Sequence, residues 1–119
     1  MIDHLELQTR DVVANLRFYA DVLAPLGYTR KIEGRAKGFG DGTALDLFIS
    51  EGEPSANVHF AFAAPTRALI DKIYESARTT GHRLDRPPAL LPAVHENYYA
   101  AFLRDPDGRL VEFACHKAE

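Results

Sequence analysis

Asp41-Gly42-Thr43-Ala44-Leu45-Asp46-Leu47-Phe48, in the first half of the chain, is matched in the second by Asp107-Gly108-Arg109-Leu110-Val111-Glu112-Phe113-Ala114. Each run opens on an Asp-Gly turn, enters an apolar strand, and places an acid four residues after the glycine. Upstream the correspondence continues: His4 and His59 each sit in a strand-like run that precedes the single helix of its half. The unit is strand, helix, three strands, and it is used twice, as repeats 1–53 and 56–119 of one domain, 1–119. Two such βαβββ units predict an α+β fold. They would form a curved, eight-stranded, mostly antiparallel sheet with the helices on its convex face and a cavity on its concave face.

The local patterns support this order. Ile2 to Gln8 alternates apolar and polar residues, the period of a half-buried strand. Thr9 or Asp11 can cap the helix that follows, whose Val12, Leu16, Tyr19, Leu23 and Leu26 form one apolar stripe before Gly27 stops it. Strand-like runs are expected at 28–33, 36–39 and 44–50, and the polar stretch 51–56 reads as a linker. Then 57–63 is a strand, Pro65 and Thr66 open a second helix, and Leu69, Ile70, Ile73, Tyr74 and Ala77 are its buried stripe. The remaining strands are expected at 83–84, 98–104 and 109–116.

Composition narrows the functional classes. The chain has 119 residues, 14 Lys and Arg against 17 Asp and Glu, and a net charge of −3. Its basic residues form no run, so nucleic acid is not an expected partner. No apolar stretch approaches the roughly 20 residues of a membrane helix, so no membrane partner is expected either. The lone Cys115 excludes an internal disulfide and suits a reducing compartment. With no signal-peptide pattern at the start, a cytoplasmic location is expected.

Side-chain parity gathers the candidate site. If Leu5 and Leu7 cover a helix, His4 faces the other way. By the same alternation Val58, Phe60 and Phe62 turn His59 and the small Ala61 to the concave face. Val111 and Phe113 do so for Glu112, and Leu45 and Leu47 for Asp46. Two imidazoles and a carboxylate with open positions suit Fe(II), and a fourth oxygen ligand would also suit Zn, Ni or Mn. A strand histidine is more often a hydrogen-bonded structural residue. Asp46 and Glu112 could equally face solvent or pair with Arg104, Arg109 or Lys31. The repeat-related placement of all four favours a divalent metal site made of His4, His59, Glu112 and Asp46.

Three segments carry a family resemblance: Met1-Ile-Asp-His4, Phe18-Tyr-Ala-Asp-Val-Leu-Ala-Pro-Leu-Gly27-Tyr28, and Asp105-Pro-Asp-Gly108-Arg-Leu-Val-Glu112. Over essentially its whole length the chain resembles the vicinal-oxygen-chelate superfamily of glyoxalases, bleomycin resistance proteins and extradiol dioxygenases. The resemblance implies His4, His59 and Glu112 as first-, fifth- and eighth-strand metal ligands. Asp46 stands where glyoxalase I carries a fourth-strand Glu, one methylene longer. A homodimer is also implied, with the cavity closed either within one chain or across two.

The function expected from this is a metal-dependent, glyoxalase-like lyase or isomerase acting on a small molecule with two adjacent oxygens. Glu112 or Asp46 would take the proton next to a carbonyl, and the metal would hold the enediolate. The alternatives are a metal-free protein that sequesters an antibiotic and an Fe(II) extradiol-type dioxygenase. Phe48 shares the parity of Asp46 and is expected to line the substrate pocket. His95 and Tyr98, in a segment expected to overhang the cavity, are candidates for substrate contact. Cys115 has the opposite parity and is expected beneath the helices.

Overall fold

Asp11 accepts a hydrogen bond from the backbone of Ala14 and so caps helix α1 (Val12–Leu23), one of the two residues expected to do so. Strand β1 (Leu5–Thr9) precedes it. A short 3-10 turn, Ala24–Leu26, ends on Gly27, whose φ of 85° is left-handed and suits a residue without a Cβ. The computed structural model describes residues 2–33, 36–42 and 45–118. Strands β2 (Thr29–Glu33), β3 (Ala36–Gly40) and β4 (Leu45–Glu51) complete the first half. Thr43 and Ala44, which fall at the expected Asp41-Gly42 hairpin, lie outside the described residues.

The second half repeats the order. Strand β5 (His59–Ala63) leads to helix α2 (Arg67–Thr79), capped by Thr66 through the backbone N–H of Leu69. Strands β6 (Arg83–Leu90), β7 (Tyr99–Arg104) and β8 (Leu110–Cys115) follow. The fold is α+β with two βαβββ units. The strands lie in two four-stranded mixed sheets, ordered β1-β4-β3-β2 and β5-β8-β7-β6. In each, the outer strand that opens the unit runs parallel to the strand that closes it, and the other pairings are antiparallel.

Strand β6 is longer than expected from sequence. Pro87 and Pro88 argue against a strand because proline donates nothing to a ladder. However, β6 is the edge of its sheet, where an unpaired side is tolerated, and its register with β7 shifts twice.

The core lies between the helices and the sheets. Leu7, Phe18, Tyr19, Val22, Leu47, Ile49, Ile70, Ile73, Val111 and Phe113 are buried in one cluster, and Cys115 is buried among them as expected. The two halves are also joined by buried polar contacts. Arg109, wholly buried, lies 2.9 Å from Asp105 Oδ2. It donates as well to the carbonyls of Ser55 and Gln8. Tyr19 donates to Asp105, and Asn15 to Asp107. Among the described residues, no helix is long and apolar enough to cross a membrane.

Candidate functional site

Glu112 sits in β8 between Val111 and Phe113, both wholly buried in the main core. Alternation turns it to the opposite face, beside its cross-strand neighbours Ala61 and Phe102. The carboxylate is nearly buried, yet both oxygens have partners. Oε1 lies 2.8 Å from His59 Nε2, and the Tyr98 hydroxyl donates to Oε2. Such partners are what allow a carboxylate to remain in an apolar sheet. Neither arginine weighed as a partner reaches it: Arg104 bonds to Asp85, and Arg109 to Asp105 and Asp107. Burial, and then the bond to Glu112 and its charge, push the Tyr98 hydroxyl up to about 12.

Around this pair, Ala100, Phe102 and Ala114 form a second small apolar cluster, with Leu91 and Tyr98 packed against it. The half-exposed His59 ring stands 6.1 Å from the Phe102 ring. His95 stacks on His116, with Nε2 2.8 Å from His116 Nδ1, and meets Tyr98 edge-on. The segment before β7 therefore delivers Tyr98 directly to Glu112 and His95 one ring further out. His116 is exposed yet joins this cluster.

In the first half, His4 is half-exposed and its ring meets Phe48 edge-on at 5.5 Å. Asp46 occupies a bulge. Phe39 pairs with Leu47 but Gly40 with Leu45, so Asp46 is the extra residue of the ladder. Its Oδ2 accepts from the Tyr28 hydroxyl at 2.5 Å. Burial first, and then that bond, raise the Tyr28 pKa. His4 and Asp46 both line a cavity of about 360 Å³, with Leu47, Phe60, Ala61 and Phe62; His59 and Glu112 are not part of its lining.

His59 and Glu112 thus form a donor pair at hydrogen-bond distance on the second sheet, whereas in the first half His4, just ahead of β1 with Nδ1 2.7 Å from Asp3 Oδ1, and Asp46 share a cavity wall without touching. Among the described residues, no three His, Cys, Asp or Glu side chains gather closely enough to hold a metal ion. An imidazole and a carboxylate converging at hydrogen-bond distance are suitable donors for a divalent ion, but two donors are half of a closed set. The residues fit such an ion as half-sites.

Sequence reading missed two residues here. Tyr28 follows the helix-stopping Gly27 and carries no mark of a carboxylate partner. Arg86, whose guanidinium carbon lies 4.0 Å from the centre of the Phe102 ring, sits in an Asp-Arg-Pro-Pro run without strand alternation.

Comparison with known proteins gives a consistent picture. Residues 1–113 match the Glyoxalase/Bleomycin resistance protein/Dioxygenase superfamily. The chain is 27% identical over 123 residues to virulence protein STM3117 of Salmonella typhimurium, a match covering 95% of this chain and 82% of that protein. Its structure is similar to that of a glyoxalase/bleomycin resistance protein from Albidiferax ferrireducens, with a TM-score of 0.80, 20% identity and 97% and 98% of the two chains covered. It is also similar to lactoylglutathione lyase from Agrobacterium tumefaciens, with a TM-score of 0.71, 22% identity and 97% and 92% covered.

Proposed function

The chain belongs to the glyoxalase/bleomycin resistance protein/dioxygenase superfamily, and from that premise we propose a metal-dependent, glyoxalase-like enzyme acting on a small molecule with two adjacent oxygens. The observation that carries this reading is the pairing of His59 Nε2 with Glu112 Oε1 at 2.8 Å, on a face that offers only half a ligand set. His59 and Glu112 would hold a divalent ion (Zn, Ni, Mn or Fe) from one side. His4, with Asp46, would complete the set from a partner subunit, in a homodimer whose sites span two chains. The donor groups lie on different sheets, an arrangement that a site shared between two chains allows.

When bound, such an ion supplies a Lewis acid that stabilises negative charge on paired substrate oxygens. The remaining work falls to the protein. Glu112 is the base placed to take a proton from a carbon next to a carbonyl, because its carboxylate already lies in an apolar, largely dry setting. Tyr98 stays protonated at neutral pH, so its hydroxyl holds Oε2 by donation and keeps the carboxylate oriented. Phe102, with Leu91 packed against its cluster, gives the face beside Glu112 an apolar border. Phe48 and His95 are the further substrate contacts of this reading, the first against the His4 ring and the second against Tyr98. Asp46 is the weaker ligand of the four, since its bulge and Tyr28 already engage it.

The test is elemental analysis of wild type and His59→Ala after incubation with each ion. Retention of about one ion per chain in wild type, lost in the variant, is expected. Absence of metal from both, together with tight drug binding in EDTA, would replace the enzyme by the metal-free sequestering protein.

A further inference from the structure

We propose that Arg86 reads a carboxylate on the substrate, at the end opposite its paired oxygens; this rests on the reading of His59 and Glu112 as metal donors. The residues lie in a straight cross-strand row. Ala61 of β5 is opposite Glu112 of β8, Glu112 is opposite Phe102 of β7, and Phe102 is opposite Arg86 of β6. Strands stand about 4.8 Å apart, so Arg86 is roughly 10 Å from Glu112 along one face of the sheet. The Phe102 ring fills the interval, its centre 6.1 Å from that of the His59 ring and 4.0 Å from the Arg86 guanidinium carbon.

The placement of Arg86 depends on an irregularity. Leu84 pairs with Leu103, and an uninterrupted ladder would then set Asp85 opposite Phe102. The register shifts instead, and Arg86 takes that position. Bulges beside sites re-aim side chains in this way. Asp85 is left to Arg104, whose Nε is 2.9 Å from its Oδ2; Arg86 Nε is 3.7 Å from the other oxygen.

Stacking on an aromatic face holds a guanidinium by its plane and leaves its N–H edges directed outward, the geometry that grips a carboxylate with two parallel bonds. One guanidinium offers one positive charge, which matches a carboxylate better than a dianionic phosphate. Because the chain carries a net charge of −3, its overall field does not draw anions. Recognition of one requires a local cation, and Arg86 supplies it. The implied ligand has paired oxygens at one end, a carboxylate at the other, and a short middle that spans the interval between Glu112 and Arg86.

The experiment compares three catechols that share one chelating end: 3,4-dihydroxyphenylacetate, neutral 4-ethylcatechol and cationic dopamine. Each is titrated by calorimetry into zinc-loaded full-length wild type, Arg86→Gln and Arg86→Lys. Wild type is expected to favour the anion over the neutral compound by about tenfold or more. Arg86→Gln should lose that preference with 4-ethylcatechol affinity unchanged, and Arg86→Lys should keep part of it. Equal affinity for anion and neutral compound in wild type, or a preference surviving in Arg86→Gln, overturns the proposal and leaves the metal reading standing. If no catechol binds in a metal-dependent way, the metal reading fails, and a second measurement decides on Arg86. Phenylacetate and 2-phenylethanol are titrated in EDTA while the Arg86 Nε–H signal, assigned by its loss in Arg86→Gln, is followed by NMR. A shift with the anion alone supports the proposal, and no shift overturns it.

Discussion

The hydroxyl of Tyr19, in the helix of the first half, donates to Asp105 Oδ2, in the turn between the last two strands of the second half, at 2.5 Å. Burial, followed by the charge of Asp105, raises the Tyr19 pKa above that of free tyrosine. The fold therefore favours the neutral hydroxyl. Below about pH 10 both folded and unfolded chains keep the proton, and the contribution is whole. Above it the unfolded chain releases a proton that the folded chain retains, and stability falls by about 1.4 kcal/mol per pH unit. Urea unfolding between about pH 10 and 12 should approach that slope in wild type beyond what Tyr19→Phe shows, the variant being shallower. Equal slopes would place the alkaline sensitivity elsewhere.

Arg109 is predicted to matter more to stability than any other charged side chain of the inter-half contact. Its guanidinium is buried against Asp105 and Asp107 and also donates to the backbone carbonyls of Ser55 and Gln8. Arg109→Met leaves the buried Asp105 carboxylate without its cation, which typically costs about 3–5 kcal/mol. A chemical-denaturation midpoint close to that of wild type would contradict this.

The division of the donor groups yields a complementation test. His4→Ala and His59→Ala should each fail to retain metal as homodimers. Unfolded together and refolded as an equimolar mixture, about half of the dimers are mixed, and each would carry one intact site and one doubly altered site. Metal retention should recover to about a quarter of the wild-type sites. No recovery, or a strict monomer by light scattering, would remove the two-chain site.

Gly38→Ala should disturb the first half-site more than the fold. An added Cβ would lie 2.9 Å from Leu45 Cδ1 and 3.1 Å from Phe48 Cε1, both on side chains that can move. The overpacking is expected to cost about 1–3 kcal/mol. Phe48, displaced, would carry the edge of the His4 ring with it. Ligand affinity should therefore fall in a variant that still unfolds cooperatively; unchanged affinity would remove Phe48 from the substrate contacts.

Much of this was legible in the chain itself because alternation and the 3.6 period are local. Leu7, Ile70, Val111 and Phe113 are buried as their periods require, and Glu112 faces away from the last two. What periodicity does not encode is which sheet a face lies opposite. Parity set His4, Asp46, His59 and Glu112 all on concave faces, but the pairing of strands distributes them over two sheets. Asp46 was further obscured by its bulge, since an extra residue breaks the count on which parity depends. The same holds for Arg86, hidden by two prolines that an edge strand accepts.

The irregular edge strand also bears on how selectivity could change over time. The residue opposite Phe102 is a cation because the ladder slips between Leu84 and Arg86; in step, it would be the carboxylate of Asp85. The sign of the charge over that aromatic ring is thus set by alignment and not by composition. Since β6 is held by β7 along one side, a one-residue realignment there need not disturb the strands that carry His59 and Glu112. Ligand preference in this architecture can be rewritten by shifting a border strand, with the chemistry behind it left untouched.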